Sequence, residues 1–461
     1  MAERAGNEYL EFPEGADGTF PEDEIAVCEI VLGEDTTNTC NIAIADVDGD
    51  GLEEIATPLT LGEDDCVRLY RGNGELAWEN EEVRLYHAYY NDREPPPRGL
   101  AHMWHRTKHR HVLTEIVDLD GDGRLEVIVG DGPLYVLDAR TGDTKRTLDL
   151  NGRVALWNVV YDPTRKAYLL AATADDRDRG PHLVALDPEG REVWALPTPG
   201  RVFVDCMHHG DLDGDGRPEI GFSIEEAREF WLVDCDGNLR WKKHVSKELG
   251  DDPHVDDFLI DQVLPEERIA GRQLLLVTGP NLLDTDGHVL WTRRDDLDHA
   301  QKVLAADLQP DRPGKEVYTV ESFRRRAFLF TCDGEPIWCY DNFTRVREGY
   351  EHENPERGRA IGRLTTAGDL INWSGRGKVE IVQPEMGGAH GFGRGPRRRD
   401  VPPEAVRRFA HVLDRDGNPV AIFPIDCSPM CARACNVTPS PTDDLVMVGH
   451  HTSRMYVYSR K

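Results

Sequence analysis

One nine-residue phrase, repeated three times almost unchanged, limits what this chain can fold into. It reads DVDGDGLEE from Asp46, DLDGDGRLE from Asp118 and DLDGDGRPE from Asp211. Carboxylates stand at its first, third and fifth positions: Asp46, Asp48 and Asp50, then Asp118, Asp120 and Asp122, then Asp211, Asp213 and Asp215. A glutamate closes each phrase at the ninth position, as Glu54, Glu126 and Glu219. Hard oxygen donors at alternate positions, a sharp glycine turn and a late glutamate are the chemistry of a calcium loop. The glutamate comes earlier than in an EF-hand, where it is the twelfth residue. A β-rich run such as Ile55-Ala56-Thr57 follows at once, so the loop joins strands and not helices. Several structural calcium ions are the expected cofactor.

After each phrase the chain makes an apolar strand and then a hairpin whose second arm often carries Trp. Examples are VRLYRGNGELAWE at 67–79 and FWLVDCDGNLRWKK at 230–243. The hairpin recurs without a full phrase before it at 182–196, 281–293, 327–340 and 411–423. Asn-Gly and Asp-Gly pairs between alternating apolar residues favour tight hairpin turns. Four antiparallel strands every ~45 residues make the blade of a β-propeller. Seven units are complete, and the end of the chain supplies three strands at most. The orphan strand Ile25 to Val31 pairs into that last unit and removes both sheet edges. The expectation is an all-β, eight-bladed β-propeller closed by its N-terminal strand, with seven blades as the alternative. Residues 1–461 form a single domain in this reading, with loop insertions at about 86–111 and 387–406. Weaker calcium loops are expected at Asp307, Asp311 and Glu316, and at Asp369, Asn372 and Glu380.

The formal net charge of −31 argues against nucleic acid, whose phosphates would be repelled. No apolar run reaches the ~20 residues that span a membrane. The first residues carry no basic and apolar leader pattern, so a cytoplasmic location is expected unless a leader was removed. Ten cysteines are read as reduced thiols. The spacing of Cys427, Cys431 and Cys435 is not a zinc signature.

Sorting the 17 histidines by connection is more informative. In a propeller, the first-to-second strand turns open on one face, and the connections between blades open on the other. His102, His105, His208, His209, His254, His299 and His352 fall before or on first strands, while His390 and His450 fall in second-to-third links. Arg153, Arg201, Arg359 and Arg433 also sit at first strands. An acidic body with His and Arg around one channel mouth suits a small or polymeric anion.

The carboxylate loops and the blade pattern resemble the FG-GAP repeat of integrin α propellers and many bacterial proteins. More narrowly, the chain resembles the rhamnogalacturonan lyases of polysaccharide lyase family eleven, eight-bladed calcium propellers. The segment Asp298 to Val317 (DHAQKVLAADLQPDRPGKEV) carries that narrower resemblance, although the family's glycine before the histidine is replaced by Leu297-Asp298. The resemblance implies β-elimination on an acidic oligosaccharide or polysaccharide. Such a site neutralises a uronic carboxylate, removes the C5 proton and protonates the leaving oxygen. Arg201 and Arg359 are the expected neutralisers, His299 and then His209 the base, and Tyr350 the acid. Substrate contacts are expected from His102, Trp104, His105, Arg153, His208, His254, His352, His390, Arg433 and His450. His102, His105 and His209 also suit a transition metal. The alternatives are a non-catalytic calcium-dependent propeller that binds carbohydrate or protein and, more weakly, a metal-dependent hydrolase.

Overall fold

In a computed structural model, the described residues are 25–33, 36–38, 42–61, 64–85, 114–130, 133–150, 154–164, 166–173, 178–249, 255–269, 271–297, 300–321, 326–341, 363–364, 369–386, 409–424, 429–449 and 454–461. Both insertions lie outside them, as do His102, Trp104, His105, Arg153, His254, His299, Tyr350, His352, Arg359, His390 and His450.

The repeated phrase folds through its own carboxylates. Asp46 accepts the N–H of Gly49 at 2.7 Å and of Gly51 at 3.0 Å, and Glu54 reaches back to the N–H of Val47 at 3.0 Å. Gly49 and Gly51 have φ of 81° and 93°, a conformation that a β-carbon would strain. The same three bonds recur from Asp118 and Glu126, and from Asp211 and Glu219. A turn tied in this way sends the chain back antiparallel, and the second strand begins at the glutamate itself.

The described strands form eight sheets, six of four strands and two of five. Their innermost first strands are, in chain order, Ala43–Ala45, Thr114–Val117, Val154–Asp162, Val202–Gly210, Phe258–Asp261, Ala300–Ala306, Asp369–Ile371 and Pro429–Cys435. Three further strands follow outward in each sheet. The outermost strand of sheet eight is Ile25–Val31, which pairs with Arg454–Arg460 so that Cys28 faces Val457. The chain end is thus held by its beginning. Eight apolar clusters fill the eight junctions between successive sheets. One of them joins Ile55 and Leu59 of sheet one to Val446 and Met455 of sheet eight, which closes the ring. Among the described residues the only helices are the short Val245–Leu249 and Glu266–Ile269. The architecture is an all-β propeller. No helix of the described residues is long and apolar enough to cross a membrane.

The recurrent tryptophans work between sheets. Trp78, Trp194, Trp241, Trp291 and Trp338 lie in fourth strands, and each indole N–H donates to a carbonyl in the third-to-fourth turn of the next sheet. The acceptors are Ala139, Cys235, Thr285, Cys332 and Arg415, at 2.8–3.0 Å. Glycine in that turn lets the ring lie flat on it. A β-carbon on Gly237 would come within 2.7 Å of Trp194.

Two degenerate loops differ from the sequence reading. In sheet seven the loop begins at Asn372, whose side chain accepts the N–H of Gly377 while Glu380 accepts those of Trp373 and Ser374. Asp369 is not a loop ligand but part of the first strand, because the phrase starts three residues later than its carboxylate suggests. In sheet six, Glu316 is spent on the N–H groups of Leu308 and Gln309, and Asp311 pairs with Arg415 at 3.4 Å. The extra residue in this loop separates Asp307, Asp311 and Glu316, and they form no ion-sized group.

Candidate functional site

A tier of polar residues runs around the channel on the first strands. Glu115, His208, Asp369 and Arg433 each stand three residues before their sheet's first loop position, and Asn158, Asp257 and Lys302 lie at neighbouring heights. Sheet one has Ala43 at the equivalent place. Several of these residues bond across a junction. Glu115 accepts the N–H of Val159, Asp257 that of Val303 at 3.1 Å, and Asp369 that of Ala434 at 3.1 Å. Each carboxylate therefore ties its strand to the first strand of the next sheet.

Sheets four, five and six build the most connected part of the tier. His208 Nε2 lies 3.2 Å from Asp257 Oδ1, and Lys302 Nζ lies 3.2 Å from Asp257 Oδ2. The His208 ring also meets the edge of Phe258 at 5.1 Å between centroids. Asp257 is buried, which opposes its charge. The Lys302 ammonium, the His208 hydrogen bond and the Val303 amide outweigh burial and hold its carboxyl below the usual range. The carboxylate fixes the imidazole, whose side chain is 44% exposed toward the channel.

His209 points the other way. Its Nδ1 is buried without a hydrogen-bond partner among the described residues. Burial, helped by the charge of His208, pushes its pKa down to about 4. Of the adjacent pair, His208 is the one positioned for proton transfer, because strand alternation sends neighbours to opposite faces. Arg201 is also committed. Its guanidinium contacts Glu226 at 2.6 Å and Glu225 at 3.6 Å, at the outer end of its strand. Arg433 makes no ion pair among the described residues, while Asp369 and Asp257 lie within electrostatic reach. The Arg433 side chain is exposed.

Beside Arg433 a cavity of about 280 Å³ opens between the first strands of sheets eight, one and two. Its lining includes Arg433, Ala43, Glu53 and Glu115. Burial raises Glu115 to about 7 against the pull of the Val159 amide. Reading the sequence by connections missed Glu115 and Asp257, because neither is a histidine or an arginine. The spacing of Glu115 from the loop phrase at Asp118 could have placed it; sheet five has no phrase from which to place Asp257.

The three full loops fit a hard cation. Asp46, Asp48 and Asp50 can each turn an oxygen to one point, as can Asp118, Asp120 and Asp122, and Asp211, Asp213 and Glu219. The oxygens left over from amide bonding face a basic side chain of the same sheet. Arg71 lies 3.2 Å from Asp48, Lys145 lies 3.5 Å from Asp120 and also contacts Glu126, and Arg240 lies 2.6 Å from Asp213 and 2.7 Å from Glu219. Asp215 stands outside the third group. Among the described residues the one candidate metal group with a histidine is Asp284, Asp286 and His288, on a hairpin turn far from the tier. Cys431 and Cys435 are buried free thiols in the closing core.

No family model matches the sequence, and no curated protein matches it. Solved structures do resemble the fold. Sqt1 from Saccharomyces cerevisiae is 8% identical with a TM-score of 0.58, over 94% of this chain and 98% of that one. The computationally designed Ika8 protein is 9% identical with a TM-score of 0.51, over 93% and 98%. BamB from Moraxella catarrhalis is 14% identical with a TM-score of 0.49, over 94% and 97%. At these identities the likeness speaks to fold alone, and by fold this chain is a β-propeller.

Proposed function

We propose that the channel binds an acidic, uronic-acid-containing oligosaccharide and cleaves it by β-elimination, as a carbon–oxygen lyase. The observation that carries this reading is His208, oriented by buried Asp257, in the same polar tier as Arg433, which has no ion pair among the described residues. A carboxylate-held imidazole is suited to take a proton. Arg433 is suited to offset the charge of a uronic carboxylate and so acidify the neighbouring C5–H. His208 takes that proton, the C4–C5 double bond forms, and the C4–O bond breaks. The departing oxygen receives a proton from an acid, the role expected of Tyr350. Incubation with a panel of uronic oligosaccharides should produce the ultraviolet absorbance of an unsaturated product. No change with any of them would sink the reading for that panel.

A second reading is a non-catalytic, calcium-dependent propeller that binds carbohydrate or protein. What favours it is the use of Glu115, Asp257 and Asp369 as ties between sheets, a role that needs no chemistry. That reading expects His208→Ala to bind the same oligosaccharides with no turnover to lose. In either case the three full loops would hold calcium structurally, through Asp46, Asp118, Asp211 and their companion carboxylates. Calcium bound there would cross-link each turn.

A further inference from the structure

We infer that Phe258, seated over Gly221, is a positioning residue for His208: it sets the plane of the imidazole so that Nε2 meets Asp257 and the lone pair on Nδ1 is left for the channel. The inference rests on the reading of His208 as the base and deepens it by naming the reacting atom and what aims it. An ionised carboxylate only accepts hydrogen bonds. Lys302 keeps Asp257 ionised, so the nitrogen 3.2 Å from that carboxylate, Nε2, carries the hydrogen. Nδ1 is then the atom that can take a proton. One hydrogen bond does not fix a ring, because the terminal torsion of histidine is broad. The second contact is buried Phe258, edge-to-face with His208 at 5.1 Å between centroids and 73° between planes. That lies within the range that aromatic pairs prefer.

Sheet four gives up a side chain to seat this ring. Gly221 is the register partner of His208 on the second strand, Glu219–Ile224, and paired residues face the same side of a sheet. Where a glutamate opens the second strand of another sheet, the residue two places on is Ala56, Ile128, Tyr318 or Val382. Gly221 lies within a strand and has no positive φ, so its backbone does not require glycine. Its surroundings do. A β-carbon there would stand 2.6 Å from Phe258 and 2.8 Å from Phe230. Phe230 meets Phe258 edge-to-face at 5.0 Å, and Trp241 lies 6.0 Å from Phe230. A row of rings thus runs from the outermost strand of sheet four to the imidazole. Its far end is held by the bond from Trp241 to the Thr285 carbonyl.

The test reads the imidazole itself, by nitrogen NMR of the histidine-labelled full chain, with the His208 signals assigned from a His208→Gln sample. Steady-state kinetics on uronic oligosaccharides run beside it. In the wild type, Nε2 should show the shift of an N–H and Nδ1 that of a bare nitrogen. Gly221→Ala, which pushes Phe258 off its seat, should mix the two tautomers. It should also lower kcat by about tenfold to a hundredfold with little change in KM. Adding Phe258→Leu to Gly221→Ala gives the new methyl group its space but removes the ring. The double variant should recover the melting temperature and neither the tautomer nor kcat. Recovery of all three, or an unmixed tautomer with full kcat in Gly221→Ala, would overturn the positioning role and leave the lyase reading standing. A bare Nε2 in the wild type would overturn it as well. Mixed tautomers in both variants, with no uronic oligosaccharide cleaved by the wild type, would uphold the positioning role and sink the lyase reading.

Discussion

His208 and Asp257 meet across the junction of sheets four and five, with Nε2 3.2 Å from Oδ1. Lys302 and the Val303 amide of sheet six hold the other carboxylate oxygen. Three sheets therefore fix one imidazole. If that imidazole is the base, Asp257→Asn should lower turnover on the order of a hundredfold with little change in KM. Full turnover in a folded Asp257→Asn protein would remove His208 from the chemistry.

Two half-buried groups should give stability opposite pH trends. Glu115 has a folded value of about 7, above its ordinary 4.5, because burial disfavours its charge. Its contribution is fully present below about 4.5 and is lost as pH rises through about 7. His209 has a folded value of about 4, below its ordinary 6.5, again chiefly from burial. Its contribution is present above about 6.5 and is lost as pH falls through about 4. Urea midpoints measured across this range should lose their alkaline decline in Glu115→Gln and part of their acid decline in His209→Gln. Profiles identical to the wild type would show that neither group is shifted by its surroundings.

The tryptophan clamps can be separated from simple packing. Trp194→Phe keeps an aromatic ring over Gly237 but leaves the Cys235 carbonyl without its donor, and should cost about 0.5–1.5 kcal/mol. Trp194→Ala also empties the ring's place and should cost about 3–5 kcal/mol. Chemical denaturation of both variants checks the order. Equal losses would mean that the indole N–H contributes nothing.

Calcium should act on stability before activity. Chelation should lower the melting temperature, since each site saturated a hundredfold above Kd contributes about 2.7 kcal/mol. Lys145 contacts Asp120 and Glu126 within the second loop and competes with an ion for the same oxygens. Lys145→Met should therefore tighten calcium there, as read by titration. Activity lost on chelation at unchanged stability would contradict a structural role.

The loop phrase made much of this fold legible. Its carboxylates bond backbone amides within nine residues, so their positions follow from local chemistry and spacing alone. The closing strand Ile25–Val31 was legible for a similar reason, since an unpaired strand at one end met an incomplete sheet at the other. The site was harder to read. Sequence sorts His208 and His209 by the connection they follow, but it does not give their height in the channel or the face each one takes. Alternation puts one against Asp257 and turns the Nδ1 of the other into the protein, and that outcome depends on the register of a strand with a bulge between Val202 and Met207. Arg201 looked available until folding brought Glu225 and Glu226 beside it. Asp369 looked like a loop ligand until register placed it in a strand.

The central claim is that the His208–Asp257 pair removes a proton from a uronic sugar in the channel. Its most direct measurement is proton exchange at C5 of a uronic oligosaccharide in deuterated water, followed by mass spectrometry alongside product absorbance. Wild type should release an unsaturated product, and His208→Ala should release little while still binding the oligosaccharide. Undiminished product from a folded His208→Ala protein would contradict the claim, as would binding by the wild type with neither exchange nor product.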